Sequence, residues 1–112
     1  MNTSFLSVRK DGYVAFYPSS RFLEALGRNA VSEIETDDDD AAVLGIRLTK
    51  ARSGGCGVRD KLENERPRFD IPMRNFGKVM TNGVRRTEVT PKIDSSGRVC
   101  IKWPSEWKVK SR

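Results

Sequence analysis

Short runs of alternating apolar and polar residues, broken at close intervals by glycine, proline and aspartate, constrain this chain most strongly. Leu6 and Val8 alternate with polar residues in the first run, and the alternation resumes over residues 13–17 after Asp11 and Gly12. A period of two defines the two faces of a strand, and Asp-Gly between two such runs is typical of a hairpin turn. The N-terminal segment therefore predicts a β-hairpin.

A short helix is predicted after this hairpin, because Pro18 ends the second run. Ser19 or Ser20 can cap the helix by accepting backbone N–H bonds. Gly27 ends it, after apolar side chains that share one helical face: Phe22, Leu23 and Leu26.

Two further strands complete the first half of the chain. Residues 30–36 and 41–50 have strand patterns, and the acidic run Asp37 to Asp40 forms the turn between them. One face of the second strand is predicted to carry three apolar side chains: Leu44, Ile46 and Leu48. The order of elements is β, β, α, β, β.

The second half of the chain, after the flexible Ser53-Gly54-Gly55 stretch, predicts the same order. A helix is expected at residues 72–80, between strands at 58–62, 66–71, 85–93 and 99–103. The side chains expected to face inward are Phe69, Ile71, Val89, Ile93, Val99, Ile101 and Trp103. Asp94 to Gly97 would turn the last hairpin.

This recurrence predicts one domain, residues 1–112, made of two pseudo-repeats at about 4–50 and 56–103, with a basic tail at 104–112. Phe16-Tyr17-Pro18 before the first helix is echoed by Asp70-Ile71-Pro72 before the second. The expected fold is mostly β with short helices, in which tandem ββαββ units pair into a swapped-hairpin-like β-barrel. Such pairing would bury strand edges within a monomer that has pseudo-twofold symmetry.

The segment from Val8 through Pro18, followed by Arg21-Phe22-Leu23-Glu24-Ala25-Leu26-Gly27, resembles the swapped-hairpin DNA-binding family of AbrB-type regulators and MazE-type antitoxins. The resemblance implies an interleaved barrel that binds duplex DNA through basic side chains on its first hairpins. Those side chains would be Arg9 and Lys10, with Arg59 and Lys61 in the second copy.

Lys92 to Ile101 also resembles the opening hairpin of that family, although the repeat places this segment in a second hairpin. A third partial hairpin, a different pairing order and a chance match all remain open.

Positive charge is concentrated in the second half of the chain. Residues 1–50 carry six basic and eight acidic side chains, whereas residues 51–112 carry fifteen basic and seven acidic ones, so the net charges are −2 and +8. Such a field attracts polyanions, and arginine suits phosphates and guanine edges. The nucleic-acid contacts expected from this charge are Arg66, Arg68, Arg85 and Arg86, with DNA the first candidate and an acidic protein surface the alternative.

Catalysis is not expected, because the chain has no histidine to act as a general base. Cys56 and Cys100 are too far apart to suggest a zinc site or a disulfide framework. The Asp37–Asp40 run lacks the spaced ligands of a calcium loop. We expect no cofactor and no metal.

A cytoplasmic location is expected, because no apolar run approaches the length of a membrane span and the first residues lack the pattern of a signal peptide. Near the end of the chain, Trp103 is predicted to lie in the core. For Trp107, contact with a ligand and packing over the barrel end remain open.

Overall fold

The computed structural model describes residues 3–9, 13–36, 43–52, 54–59, 67–72, 79, 81, 83 and 85–108, with residues 36, 58 and 59 described by backbone alone. The strands are β1 (Ser4–Val8), β2 (Tyr13–Tyr17), β3 (Asn29–Thr36), β4 (Val43–Lys50), β5 (Cys56–Arg59), β6 (Arg68–Pro72), β7 (Arg86–Val89), β8 (Lys92–Ile93) and β9 (Val99–Lys102). The described part has one helix, α1 (Ser20–Leu26). The predicted mostly-β class is confirmed.

All strand pairs are antiparallel, and the strand order is β7-β1-β2-β6-β5-β3-β4-β9-β8. The strands form two sheets that meet at β5, which pairs with β6 of the first sheet and β3 of the second. Hairpins from the two halves of the chain alternate along this order: β1-β2, β6-β5, β3-β4 and β9-β8. The halves are therefore interleaved, with neither forming a sheet of its own.

The sheets do not close into the predicted barrel. The two outermost strands, β7 and β8, are successive pieces of the segment 86–93, separated by Thr90 and Pro91. β7 pairs with β1, whereas β8 pairs with β9. Proline has no backbone N–H for a ladder hydrogen bond. The segment is therefore broken at Pro91, where a continuous strand would have joined β7 to β8 and closed the strand order into a barrel.

The core lies where the two halves meet. Phe16 and Val14 on β2 are the register partners of Phe69 and Ile71 on β6, and all four side chains are fully buried. Ile46 on β4 is likewise opposite Ile101 on β9. The predicted inward positions Phe69, Ile71, Val99 and Ile101 are confirmed, and Trp103 is partly buried against the same core.

Two predicted inward side chains are exposed. Leu44 is 48% exposed because the register shifts: Thr36 is opposite Val43 and Glu35 is opposite Gly45, which leaves Leu44 as an extra residue. Such a bulge breaks the alternation of faces. Ile93 is 36% exposed, in a two-residue strand that follows the Pro91 break.

Helix α1 packs against β4 and β9 and buries Phe22 and Leu26. Ser19 is its N-cap residue, but the predicted side-chain cap is not formed. The Ser19 backbone N–H instead donates to Ser4 Oγ at 2.9 Å, and both residues are buried. Gly27 ends the helix at a φ of +67°, a left-handed conformation that glycine adopts readily.

The second predicted helix, residues 72–80, and the acidic turn Asp37–Asp40 lie largely or wholly outside the described residues. The turn at Asp94 to Gly97 is confirmed, since Gly97 N–H donates to the Asp94 carbonyl at 3.0 Å. The internal duplication remains a prediction.

Candidate functional site

Aromatic and basic side chains share the outer face of the first sheet. Alternation places them there, because the residues between them point into the core: Leu6 on β1, Val14 and Phe16 on β2, and Phe69 and Ile71 on β6. The aromatic and basic residues that point outward, which we call the aromatic–basic face, are Phe5, Arg9, Tyr13, Tyr17, Arg68 and Arg86.

Arg86 lies over two aromatic rings on this face. Its guanidinium carbon is 4.8 Å from the centroid of the Phe5 ring and 5.1 Å from that of the Tyr17 ring. Phe5 and Tyr17 are register partners on β1 and β2, and Arg86 is opposite Ser7 on β1. The attraction of the cation to the two rings restricts an otherwise flexible side chain. Arg86 is therefore an oriented cation on an exposed surface.

Arg9 and Arg68 approach one carboxylate, that of Asp70. Arg68 Nε donates to Asp70 Oδ1 at 3.1 Å, and Arg9 Nε is 4.0 Å from the same oxygen. Asp70 is 19% exposed, so this group is partly shielded from water. Two cations around one anion leave a net positive charge on the same outer face as Arg86, across β1 and β2 from it, and the hydrogen bond to Asp70 orients Arg68.

The eight predicted nucleic-acid contacts divide into three sets. Arg9, Arg68 and Arg86 lie on the aromatic–basic face, and exposed Arg85 adjoins it, since its carbonyl accepts the Val8 N–H at 2.9 Å. Arg59 is described by backbone alone, opposite Arg68. Lys10, Lys61 and Arg66 lie outside the described residues.

The aromatic members of this face were not predicted as site residues. Tyr13 and Tyr17 are four residues apart on one strand, so a period of two places them on the same side. Because Leu6 points into the core, its neighbour Phe5 on β1 points outward. A search for rings on the polar side of the first hairpin would have found all three.

A cavity of about 550 Å³ adjoins the aromatic–basic face, between β2 and β6 on one side and β3 and β5 on the other. Its lining residues are Tyr13, Val31, Ser32, Gly55, Cys56, Gly57, Asp70 and Pro72. Gly55 has a φ of +62°, and a Cβ there would lie 2.3 Å from the Ala30 carbonyl oxygen. Only glycine allows the backbone to approach this closely.

The pKa of each of the two thiols lies above its ordinary value. Burial raises the pKa of Cys56, the Asp70 carboxylate raises it further, and a hydrogen bond with Ser32 opposes the shift. Burial and nearby Asp94 also raise the pKa of Cys100. Since the thiolate is the reactive form, Cys56 presents an uncharged thiol to the cavity at neutral pH.

The outer face of the second sheet carries mixed charge. Glu33 on β3 is opposite Arg47 on β4. Arg98 Nε donates to Asp94 Oδ2 at 2.7 Å. Hydrogen bonds from the Arg98 backbone N–H and side chain lower the pKa of Asp94, and the same side-chain hydrogen bond raises the pKa of Arg98. Opposite charges therefore partly offset one another on the second sheet.

Within the described ranges, no three cysteine, aspartate or glutamate side chains are placed to hold a metal ion. No helix in the described part of the chain is long and apolar enough to cross a membrane.

No protein-family model matches the chain, and no curated protein or solved structure matches it significantly.

Proposed function

We propose that this protein binds nucleic acid, with DNA the first candidate, through the aromatic–basic face. The observation that carries the proposal is the Arg86 guanidinium over the Phe5 and Tyr17 rings, on the same face as Arg9 and Arg68. An oriented guanidinium donates several N–H groups to phosphate oxygens. Because the Arg86 side chain is already oriented, binding costs less conformational entropy.

The rings favour nucleic acid over an acidic protein. Charge attracts either polyanion, and the net charge of +8 in residues 51–112 serves both. Aromatic rings among arginines add a surface on which bases stack, which is a contact that an acidic protein patch does not need. The resemblance to AbrB-type proteins also supports DNA and suggests a regulatory, nucleoid or phage accessory role. We propose no catalytic activity.

Fluorescence anisotropy of labelled DNA, titrated with protein at several salt concentrations, tests this function. Affinity should fall steeply as salt rises, because bound arginines displace counterions from phosphates. Arg86→Ala should weaken binding to every sequence and reduce the salt slope by about 1.

Arg21→Ala is a matched control, because Arg21 on α1 lies 5.6 Å from the Phe22 ring centroid, and α1 packs on the second sheet. This variant loses the same charge and the same kind of ring contact away from the proposed face, so it should bind almost as wild type. Equal losses in both variants would contradict the chosen face.

Absence of binding to DNA and RNA at low salt would overturn the proposed function. In that case, a stoichiometric protein partner that survives nuclease treatment of a lysate would favour the acidic-protein alternative.

A further inference from the structure

Building on the proposed function, we infer that the aromatic–basic face takes single-stranded nucleic acid, and that the adjoining cavity holds one unpaired base with an exocyclic amino group. The inference rests on the placement of the rings, the arginines and Asp70 relative to the cavity.

Rings on a sheet face suit unpaired bases. In a duplex the bases stack on one another and present only their edges in the grooves, whereas a single strand can place its bases flat on aromatic rings or on an arginine guanidinium. Arg86 over Phe5 and Tyr17 makes one such stacking platform at the Tyr17 end of β2.

Tyr13 marks a second position along the same strand. Four residues of strand separate Tyr13 from Tyr17, or roughly 13 Å at the usual rise per residue. Asp70 is opposite Ala15, midway between the two tyrosines, so the Arg9 and Arg68 side chains that approach Asp70 lie between these positions. A single-stranded nucleic acid that runs from one tyrosine to the other would pass its phosphates over these two arginines.

The cavity beside Tyr13 has walls suited to a base. Tyr13 and Pro72 are register partners at one wall, and Val31, which is 47% exposed, lies at the other. Apolar and aromatic walls favour the faces of a base. Gly55 and Gly57 also line the cavity, whose volume is about 550 Å³, and they add no side chains to it.

Asp70 gives this cavity its selectivity. A carboxylate only accepts hydrogen bonds, so it can accept one from the amino group of cytosine or adenine. Thymine and uracil offer a carbonyl oxygen at the corresponding position, which the carboxylate repels. The Arg68 contact at 3.1 Å fixes the direction of the Asp70 side chain.

The experiment compares oligodeoxycytidine and oligodeoxythymidine of about twelve nucleotides, within the usual site size for single strands, with a duplex of mixed sequence. Wild-type protein should bind the cytidine strand more tightly than the thymidine strand, and both more tightly than the duplex. Tyr13→Ala and Tyr17→Ala should each weaken single-strand binding about 5- to 150-fold, the range for a lost base stack of about 1–3 kcal/mol. Tyr17→Leu, which retains an apolar side chain, should lose stacking even if Tyr17→Ala fails to fold.

Asp70→Asn should shrink the affinity ratio between the two strands, because an amide also donates hydrogen bonds. Glu88→Gln is the matched control. Glu88 is exposed on β7, opposite Phe5, outside the cavity, so this change should alter overall affinity without changing the ratio.

Equal, salt-dependent binding of duplex and single strands would overturn this inference and leave the proposed function standing. Loss of all binding at low salt would overturn both. An unchanged strand ratio in Asp70→Asn, or equal affinities of wild-type protein for the two strands, would overturn the assignment of the cavity.

Discussion

Phe16 of β2 and Phe69 of β6 are direct register partners, and both side chains are fully buried. They come from opposite halves of the chain, so this pair joins the first hairpin to its counterpart. We expect Phe16→Ala and Phe69→Ala each to lower the free energy of unfolding by about 3–5 kcal/mol through lost burial and a cavity.

Since the two rings share one site, the double variant should lose less than the sum, with a coupling of about 0.5–3 kcal/mol. Urea unfolding gives the free energy of unfolding of the wild type, the two single variants and the double variant. Strictly additive losses would show that the two rings are energetically independent.

The second prediction concerns Trp107, which is 3% exposed in the core and packs edge-on against Trp103, with ring centroids 5.3 Å apart and planes at 82°. Packing over the end of the core is therefore the better of the two roles left open for this residue. Trp107→Ala should cost about 3–5 kcal/mol of stability and remove the near-ultraviolet circular dichroism of the pair. A melting temperature close to that of the parent would contradict its place in the core.

The third prediction is a pH dependence. The Asp94 carboxylate accepts the Arg98 and Ser96 backbone N–H groups and the Arg98 side chain, and these contacts lower its pKa. Because the folded pKa lies below the unfolded value of about 3.9, the stabilisation is present above that value and is lost as pH falls through the folded pKa.

Urea midpoints should therefore separate wild type from Asp94→Asn at neutral pH and converge in acid. A carbon-13 NMR titration of Asp94 reports the shift directly, and a titration at or above the ordinary aspartate value would disprove it.

The fourth prediction concerns assembly. Because hairpins from the two halves alternate, most strand edges are satisfied within one chain. Light scattering should give a mass near 12.6 kDa at micromolar concentration. A fragment of residues 1–50 should remain unfolded alone and fold when mixed with residues 56–112. A tight dimer, or a 1–50 fragment that folds as a monomer, would refute intrachain pairing.

Local patterns were sufficient for most strands and for α1, because alternation and turn residues act within a few positions. The exposure of Leu44 could not be predicted, since the bulge depends on how β3 and β4 align. The break after β7 had a visible signal in Pro91, whose missing N–H limits a strand at that point.

The candidate site was predictable only in part. The charge of the second half indicated Arg68 and Arg86, and the family resemblance indicated Arg9, but their surroundings depend on four strands from both halves of the chain. Asp70 is two residues from Arg68 but far from Arg9 in the sequence, so the pairing of β2 with β6 is needed to bring the three side chains together. Non-local pairing of this kind leaves little trace in a single sequence.

The alternation of hairpins also sets the order in which the protein can fold during synthesis. β2 and β4 leave the ribosome well before their partners β6 and β9, so the first half emerges with open strand edges and an uncovered apolar face. Exposed edges of this kind promote aggregation of nascent chains. β9 follows all the other described strands in the chain, and the edge of β4 therefore stays open until β9 has been made.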